Sequence, residues 1–260
     1  MEVVSILLCT IMALFAYLRE KTTKTASIIS WVLGIAILFL GGYQSFLLLV
    51  ILFLMITIAG AIKKNKRKKI IGKINQKDGK RDTLQVLSNI SIGVVSLLLY
   101  YLFDHSIFYI AYACVMATSL SDTLASEFGV LSKKDPIDIC TLKKQDKGIS
   151  GGVTALGLFF SLIGSFIIAI SFYLLNDGSI NQLIFILIIG FVGSLIDSIY
   201  GSLLQVKYQC NTCGMKTEKK IHCEKETEYI KGFRKLNNDL VNFATTLDVF
   251  IISIVILWLS

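Results

Sequence analysis

Charged residues are scarce in this sequence. Asp, Glu, Lys and Arg together make up 17% of its 260 residues, whereas hydrophobic residues make up 54%. The mean hydropathy is +0.70. An ordinary soluble domain contains about one charged residue in four, so this composition argues against that class. The sequence therefore predicts an integral membrane protein.

The chain contains several apolar stretches that are long enough to cross a bilayer. A span of about 30 Å needs roughly 17 to 25 apolar residues. Eight segments fit, some of them short or marked by polar residues: 2–18, 26–41, 43–62, 84–103, 106–126, 149–175, 180–205 and 240–259. The first has neither a basic leader nor a small-residue cleavage site, so we expect a retained helix. The predicted fold is all-α, a single polytopic membrane domain over residues 1–260.

Three of the predicted loops, at 41–42, 104–105 and 176–178, contain no Lys or Arg. All 26 basic residues lie in the other four loops, which are the loop after the first helix and the basic loops at about 63–82, 130–148 and 206–238. Basic residues are retained on the cytoplasmic side of short loops. The pattern predicts a multi-pass protein of the cell membrane with both termini outside and its chemistry facing the cytoplasm.

The net charge of +8 does not indicate a nucleic-acid partner. The most basic run, residues 63–69, has no interleaved aromatic side chains on which bases could stack. The topology signal and the attraction of basic residues to anionic lipid headgroups account for the charge. We expect the membrane as a partner and no nucleic acid, and the oligomeric state is not predicted.

Asp197 is the clearest polar residue within a predicted span. It shares a helix face with small and polar residues at three- and four-residue steps, namely Gly190, Gly193, Gly201 and Gln205. An ionisable group in a membrane normally faces a protein interior or a cavity. A functional carboxylate is favoured here over the alternative, a packing stripe with one hydrogen-bonded acid.

Asp122 and Glu127 end the fifth predicted span, among several hydroxyl side chains. Carboxylates suit Mg²⁺, which takes its other ligands from water and phosphate, so Asp122, Glu127 and Asp197 form a candidate magnesium set. Residues five apart differ by about 140° around a helix, so shared ligation requires a helix break or separate ions. The alternative is that both acids mark a solvent-exposed helix end.

A glycine-rich segment enters the sixth predicted span and favours phosphate binding. Glycines allow backbone N–H groups to approach a phosphate, and the helix N-terminus and nearby lysines add positive charge. The residues concerned are Lys143, Lys144, Lys147, Gly148, Ser150, Gly151 and Gly152. The spacing is not that of a nucleotide P-loop, and Gly148 with Gly152 could instead be a close-packing pair.

Two further polar rows lie near the same membrane face. Arg81, Gln85 and Asn89 share one helix face and could bind a phosphate, although an interfacial Arg is also a common anchor. The last predicted span opens with Asn238, Asp239 and Asn242. Helix capping explains the first two, whereas Asn242 could contact a phosphate, a base or a metal-bound water.

Three cysteines lie close together in the loop at 206–238. Cys210 and Cys213 have the C-x-x-C spacing and Cys223 follows nine residues later, beside a histidine. In a reducing cytoplasm this pattern favours metal over disulfide. It predicts a structural zinc site with Cys210, Cys213 and Cys223, whose fourth ligand is left open.

Several of these segments, in this order, resemble a known membrane family. They are residues 121–129 (SDTLASEFG), 147–154 (KGISGGVT) and 238–243 (NDLVNF), preceded by Arg81 and residues 85–89 (QVLSN). They resemble the integral membrane family that includes the chloroplast phytyl-phosphate kinase. The resemblance implies transfer of a phosphoryl group from a nucleoside triphosphate to an isoprenoid monophosphate lipid, which gives the diphosphate.

A more distant likeness to phosphatidate cytidylyltransferases and polyprenol kinases implies CTP and Mg²⁺. The kinase hypothesis gives Asp122, Glu127, Asp197 and Lys147 catalytic roles and assigns the glycine segment and both polar rows to nucleotide and phosphate binding. A cytidylyltransferase remains an alternative, since residue types do not separate the two reactions. A transporter is the other alternative, although no inverted repeat is visible and the polar motifs lie at one membrane face.

Overall fold

The structure is a computed structural model that describes residues 2–62 and 80–259. Most of the predicted basic loop at 63–82 lies outside these ranges. The described residues form seven helices: α1 Glu2–Leu18, α2 Lys24–Ala61, α3 Thr83–Phe103, α4 Ser106–Gly129, α5 Ala155–Leu175, α6 Ile180–Leu203 and α7 Asn238–Leu259. Six of these are long and apolar enough to cross a membrane, and α1 is a shorter apolar helix. The predicted helical, multi-span membrane fold is confirmed.

Helix α2 is interrupted at Gly42, where φ is 73° and ψ is −175°. This backbone conformation is accessible almost only to glycine. The adjacent Gly41 packs against Leu97, near the end of α3, whereas Thr25 hydrogen bonds to Thr83 at the start of α3. Gly60, beyond the interruption, lines the same cavity as Arg81 and Gln85 at the start of α3. The chain therefore reverses at Gly42, and α2 supplies the two segments predicted at 26–41 and 43–62.

Helix α4 forms the centre of the bundle. In its most apolar stretch 78% of the residues are buried, compared with 33% or less in each of the other five long helices. Glycines allow α6 and α5 to approach it closely. A Cβ added at Gly190 would meet Ala117, and one added at Gly164 would meet the backbone of Ser121. The predicted small-residue face of α6 is thus a close contact with α4.

Hydroxyl groups link the helices within the bundle. Ser121 of α4 hydrogen bonds to Ser161 of α5 at 2.7 Å, and Ser161 hydrogen bonds to Ser194 of α6 at 2.5 Å. All three side chains are buried. Such bonds satisfy polar groups where no water is present, so three helices are fixed at the same depth.

The loops contain short strands that the hydrophobic pattern did not predict. Residues predicted as the start of the sixth span instead form an extended loop, and α5 begins at Ala155 behind the N-cap Thr154. The first pair is β1 Ile137–Asp138 with β2 Gly152–Val153. The loop between α6 and α7 adds β3 Lys207–Gln209, β4 Lys216–Thr217, β5 Ile221–His222, β6 Lys225–Glu226 and β7 Glu228–Lys231. Antiparallel pairing gives the sheet β4-β3-β7 and the hairpin β5-β6.

Candidate functional site

A cavity of about 680 Å³ opens at the end of the bundle where α3 and α7 begin and α4 and α6 end. Among the described residues, the loops with basic side chains lie at this same end. Most of the predicted site residues line the cavity: Arg81, Gln85, Asn89, Asp122, Glu127, Lys147, Gly148, Ser150, Gly151, Gly152, Asp197, Asn238, Asp239 and Asn242. Lys143 and Lys144 are exposed and lie outside the lining.

Asp122 and Asp197 form a carboxylate pair in the cavity wall. Their side chains lie within hydrogen-bonding reach of each other, and Asp122 interacts electrostatically with the Arg81 guanidinium. Thr245 donates to Asp197 Oδ1 at 3.3 Å, and the Asn242 amide, oriented with its nitrogen toward Asp197, would donate to the same oxygen at 3.0 Å. Two carboxylates in contact repel unless a proton or a cation lies between them. The pair is therefore a suitable site for a cation.

Glu127 does not join this pair. Helix α4 runs unbroken to Gly129, so Glu127 lies on a different face from Asp122. Over the described ranges, no cluster of three or more potential metal ligands within 4.8 Å of one another includes these acids. The structure thus brings together two of the three predicted magnesium ligands, and Glu127 lines another part of the cavity.

The start of α3 is held by its own polar groups. Asp82 caps the helix by accepting from the Gln85 N–H at 3.0 Å, and the Gln85 side chain accepts from the Asp82 N–H at 3.4 Å. Asn89 donates to the Gln85 carbonyl at 2.7 Å. The Arg81 N–H donates to the Lys21 carbonyl at 2.8 Å. Gln85 and Asn89 therefore position the helix that presents Arg81 to the cavity.

The glycine-rich segment packs against the end of α6. Gly151 has a φ of +85°, and a Cβ there would lie 2.5 Å from the backbone of Ser202. Thr154 accepts from the Gly157 N–H at 3.0 Å and so caps α5. Lys147 Nζ donates to the Ser132 carbonyl at 2.6 Å and lines the cavity. Glycine is thus required at 151 for the close approach of this segment to α6.

Ser150 is bound by two buried charged residues, Glu218 and Lys207. Neither was predicted from the sequence. Glu218 accepts from the Ser150 N–H at 3.1 Å and from its hydroxyl at 2.5 Å. Lys207 Nζ donates to the Ser150 carbonyl at 2.7 Å. Burial raises the pKa of Glu218, a shift that the hydrogen bonds from Ser150 partly oppose. Burial lowers the pKa of Lys207 to about 8.

Asp138 anchors the other side of the same loop. Ser202 donates to both of its carboxylate oxygens, at 2.8 and 2.9 Å, and the Thr141 N–H donates to Oδ1 at 2.9 Å. Burial alone would raise the pKa of Asp138, but these hydrogen bonds outweigh it and hold the pKa below its ordinary value. Ser202 and Ser150, which bind Asp138 and Glu218, lie 64 and 68 residues away from them, so no sequence motif marks these two contacts.

The wall formed by α1 and α2 is apolar. It is lined by Cys9, Met12, Ala13, Ala16, Phe46, Leu49, Leu52, Phe53 and Ile56. The carboxylate pair, the glycine segment and Arg81 line the remaining walls. One cavity therefore offers a charged region and a hydrocarbon-like region side by side.

A second cluster lies in the loop between α6 and α7. The ligand atoms of Cys210, Cys213, His222 and Cys223 all lie within 4.8 Å of one another. The three predicted cysteines are brought together, and His222 is the additional potential ligand. Of the cysteines outside this cluster, Cys9 and Cys114 are buried and Cys140 is exposed.

Comparisons with known proteins agree with a membrane fold. The chain is 29% identical to an uncharacterized membrane protein of Methanocaldococcus jannaschii over 206 residues, which covers 78% of this chain and 83% of that protein. It is 26% identical to Protein PGR of Arabidopsis thaliana over 278 aligned positions, with 94% of this chain and 91% of that protein covered. An uncharacterized membrane protein of Synechocystis is 26% identical, with 69% and 70% covered.

No solved structure matches the chain. The family described as Integral membrane protein DUF92 matches residues 7–249, which is most of the sequence. The chain therefore belongs to the DUF92 family of integral membrane proteins.

Proposed function

We propose that this protein is a membrane kinase that transfers a phosphoryl group from a nucleoside triphosphate, CTP by preference, to an isoprenoid monophosphate of the phytyl or geranylgeranyl type. The observation that carries the proposal is the composition of the cavity. A carboxylate pair, an arginine and a backbone-rich glycine segment share it with an apolar wall. A substrate with a phosphate head and a hydrocarbon tail has the same two-part character.

The isoprenoid lipid would lie with its tail along α1 and α2. Burying a tail against this wall contributes about 25 cal/mol for each Å² removed from water. The phosphate head would then meet Arg81, whose guanidinium can form two parallel hydrogen bonds to a phosphate. This orientation keeps the tail in the bilayer and the reacting phosphate at the membrane surface.

The carboxylate pair fits the magnesium ion that the family resemblance implies. Asp122 and Asp197 would hold Mg²⁺, which prefers a few carboxylate oxygens and, when bound, neutralises the phosphates of a nucleotide. Asn242 and Thr245 orient Asp197 by donating to one of its oxygens. Glu127 has no direct part in this arrangement and would act elsewhere in the cavity.

The nucleotide phosphates would lie against the glycine segment. Lys147 has three N–H donors, of which one is used by Ser132, so two remain for phosphate oxygens. An oxygen of the lipid monophosphate attacks the terminal phosphorus, and the bond to the leaving nucleoside diphosphate breaks. Because the attacking phosphate is already ionised near neutral pH, the reaction requires no strong base. Positioning and charge neutralisation supply the catalysis.

The test is product analysis with detergent-purified protein, Mg²⁺, each nucleoside triphosphate in turn, and phytyl or geranylgeranyl monophosphate. Mass spectrometry should find the isoprenoid diphosphate and the matching nucleoside diphosphate with wild type and with Asp104→Asn, an exposed residue at the opposite end of the bundle. Asp122→Asn should form neither product. A nucleotide-linked lipid with pyrophosphate would indicate a cytidylyltransferase instead, and no turnover by folded protein would favour transport.

A further inference from the structure

The cysteine and histidine cluster between α6 and α7 has the dimensions of a metal site. Cys213 Sγ lies 3.6 Å from His222 Nδ1, and Cys223 Sγ lies 3.2 Å from the same nitrogen. Tetrahedral zinc, with bonds of about 2.3 Å to sulfur and about 2.0 Å to nitrogen, separates such ligands by about 3.5 Å. The four side chains are thus placed at the spacing that zinc requires.

The first pair of ligands, Cys210 and Cys213, lies on a tight turn between β3 and β4. The Gly214 N–H donates to the Cys210 carbonyl at 2.8 Å, and the Cys210 N–H donates to the Met215 carbonyl at 3.0 Å. Gly214 has a φ of +68°, which glycine adopts readily. The backbone N–H groups of Thr212 and Cys213 face Cys210 Sγ. Donors aimed at sulfur stabilise a thiolate ligand and fix its orientation.

The second pair of ligands, His222 and Cys223, lies at a turn whose backbone conformation is unfavourable unless other contacts stabilise it. Cys223 and Glu224 connect β5 to β6, and both have positive φ, at 50° and 61°. Such two-residue turns favour Asn and Gly, and other residues are disfavoured in this left-handed conformation. The turn directs the sulfur of Cys223 toward Cys210 and Cys213, so ligand geometry, and not turn propensity, accounts for its shape.

We propose that Cys210, Cys213, His222 and Cys223 bind one Zn²⁺ ion in a structural site. Four protein ligands fill the tetrahedral positions, which is typical of structural and not catalytic zinc. With three thiolates and a neutral imidazole as ligands, the zinc site as a whole would have a net charge of −1. The positive-inside pattern predicts that this loop lies in the cytoplasm, where reducing conditions disfavour a disulfide between the same cysteines.

The ion would hold a wall of the cavity in place. The turn that carries Cys210 and Cys213 closes the β3-β4 hairpin, and Lys207 and Glu218, at the other end of that hairpin, contact Ser150. Without the ion, the hairpin would keep only a few strand hydrogen bonds. Zinc would thus position the glycine segment indirectly, by holding the hairpin whose Lys207 and Glu218 contact Ser150.

The experiment measures metal directly in the full-length protein purified in detergent. Elemental mass spectrometry should find about one zinc per chain in wild type and in Cys140→Ser, a matched control because Cys140 is exposed and outside the cluster. Cys213→Ser and Cys223→Ser should each lose at least about 80% of that zinc. Wild-type protein that holds no more zinc than Cys213→Ser would overturn the proposal.

A second measurement covers the case in which the variants fold poorly. Wild-type protein stripped by a chelator is titrated with Co²⁺, and the expected result is a tetrahedral absorption spectrum with thiolate-to-cobalt bands that saturates at one ion per chain. An octahedral spectrum, or none, would also overturn the site. Neither readout depends on phosphoryl transfer, so failure of the zinc site and failure of the proposed kinase activity are distinguishable.

Discussion

Glu218 accepts hydrogen bonds from both the backbone N–H and the hydroxyl of Ser150, although the two residues are 68 positions apart in sequence. Because Lys207 binds the Ser150 carbonyl, both backbone polar groups of Ser150 are occupied. These hydrogen bonds fix the backbone of the glycine segment at Ser150. Its shape depends on the loop between α6 and α7 as much as on its own glycines.

The buried Lys207 predicts a pH dependence of stability. Its pKa is lowered from an ordinary value of 10.5 to about 8, so between these limits the unfolded chain binds a proton that the folded protein does not. Stability should therefore rise with pH across this interval and be lost again as pH falls toward 8. The Lys207→Met variant has no titratable group at this position, so it should not show this rise in stability with pH.

Thermal unfolding of both proteins in detergent at pH 7.5 and 9.5 checks the expectation. The quantity to follow is the difference in melting temperature between wild type and Lys207→Met, since the other lysines contribute equally to both. That difference should move in favour of wild type at the higher pH. A constant difference would mean that burial does not disfavour the charged lysine.

Gly151→Ala should destabilise the protein by about 2 to 4 kcal/mol, because the new methyl group would overlap the backbone of Ser202 and φ is positive. Gly214→Ala is the matched control, since its φ is also positive but its Cβ would meet open space. It should cost only about 1 kcal/mol. Equal losses in melting temperature for the two variants would show that close packing is not the reason for glycine at 151.

Asp122→Asn and Asp197→Asn should each lower phosphoryl-transfer activity by at least about 100-fold, because each removes half of the charge that would hold a cation. Glu127→Gln should have a smaller effect, since Glu127 lies apart from the pair. Initial rates at several Mg²⁺ concentrations test this ranking. If Glu127→Gln were as damaging as Asp122→Asn, the two-carboxylate site would be wrong.

Arg81→Lys should raise the KM for the isoprenoid phosphate about 10-fold or more, since lysine keeps the charge but loses the paired donors of the guanidinium. Arg19→Lys is a suitable comparison, because Arg19 also borders the cavity but stacks on Phe15, at 5.6 Å from its ring centre. A KM that changes equally in both would assign Arg81 to membrane anchoring.

Much of the fold and part of the site were accessible from the sequence. Hydropathy gives the membrane helices because burial in lipid requires long apolar runs, and the partition of basic residues gives one face for the polar motifs. Asp122 and Asp197 were identified because a carboxylate in an apolar run is costly. Their direct contact depends on how α4 and α6 pack, which local pattern does not determine.

Some groups have roles that are set entirely by tertiary contact, and local sequence does not reveal them. Glu218 and Lys207 lie in a polar loop where charged residues are expected to be solvated, yet both are buried. Glu127 joins the predicted magnesium set only if the helix breaks after Asp122, and the unbroken α4 separates the two residues. His222 was recognised only as a neighbour of Cys223, because adjacent His and Cys ligands are uncommon.

The central position of α4 has a consequence for membrane insertion. It is the least apolar of the six long helices, and its hydroxyl groups find partners on α3 and α5, as in the bonds from Ser119 to the Asn89 carbonyl and from Ser121 to Ser161. A helix of this kind gains little from lipid alone. Its stable integration therefore depends on contact with α3, which is synthesised before it, and with α5, which is synthesised after it.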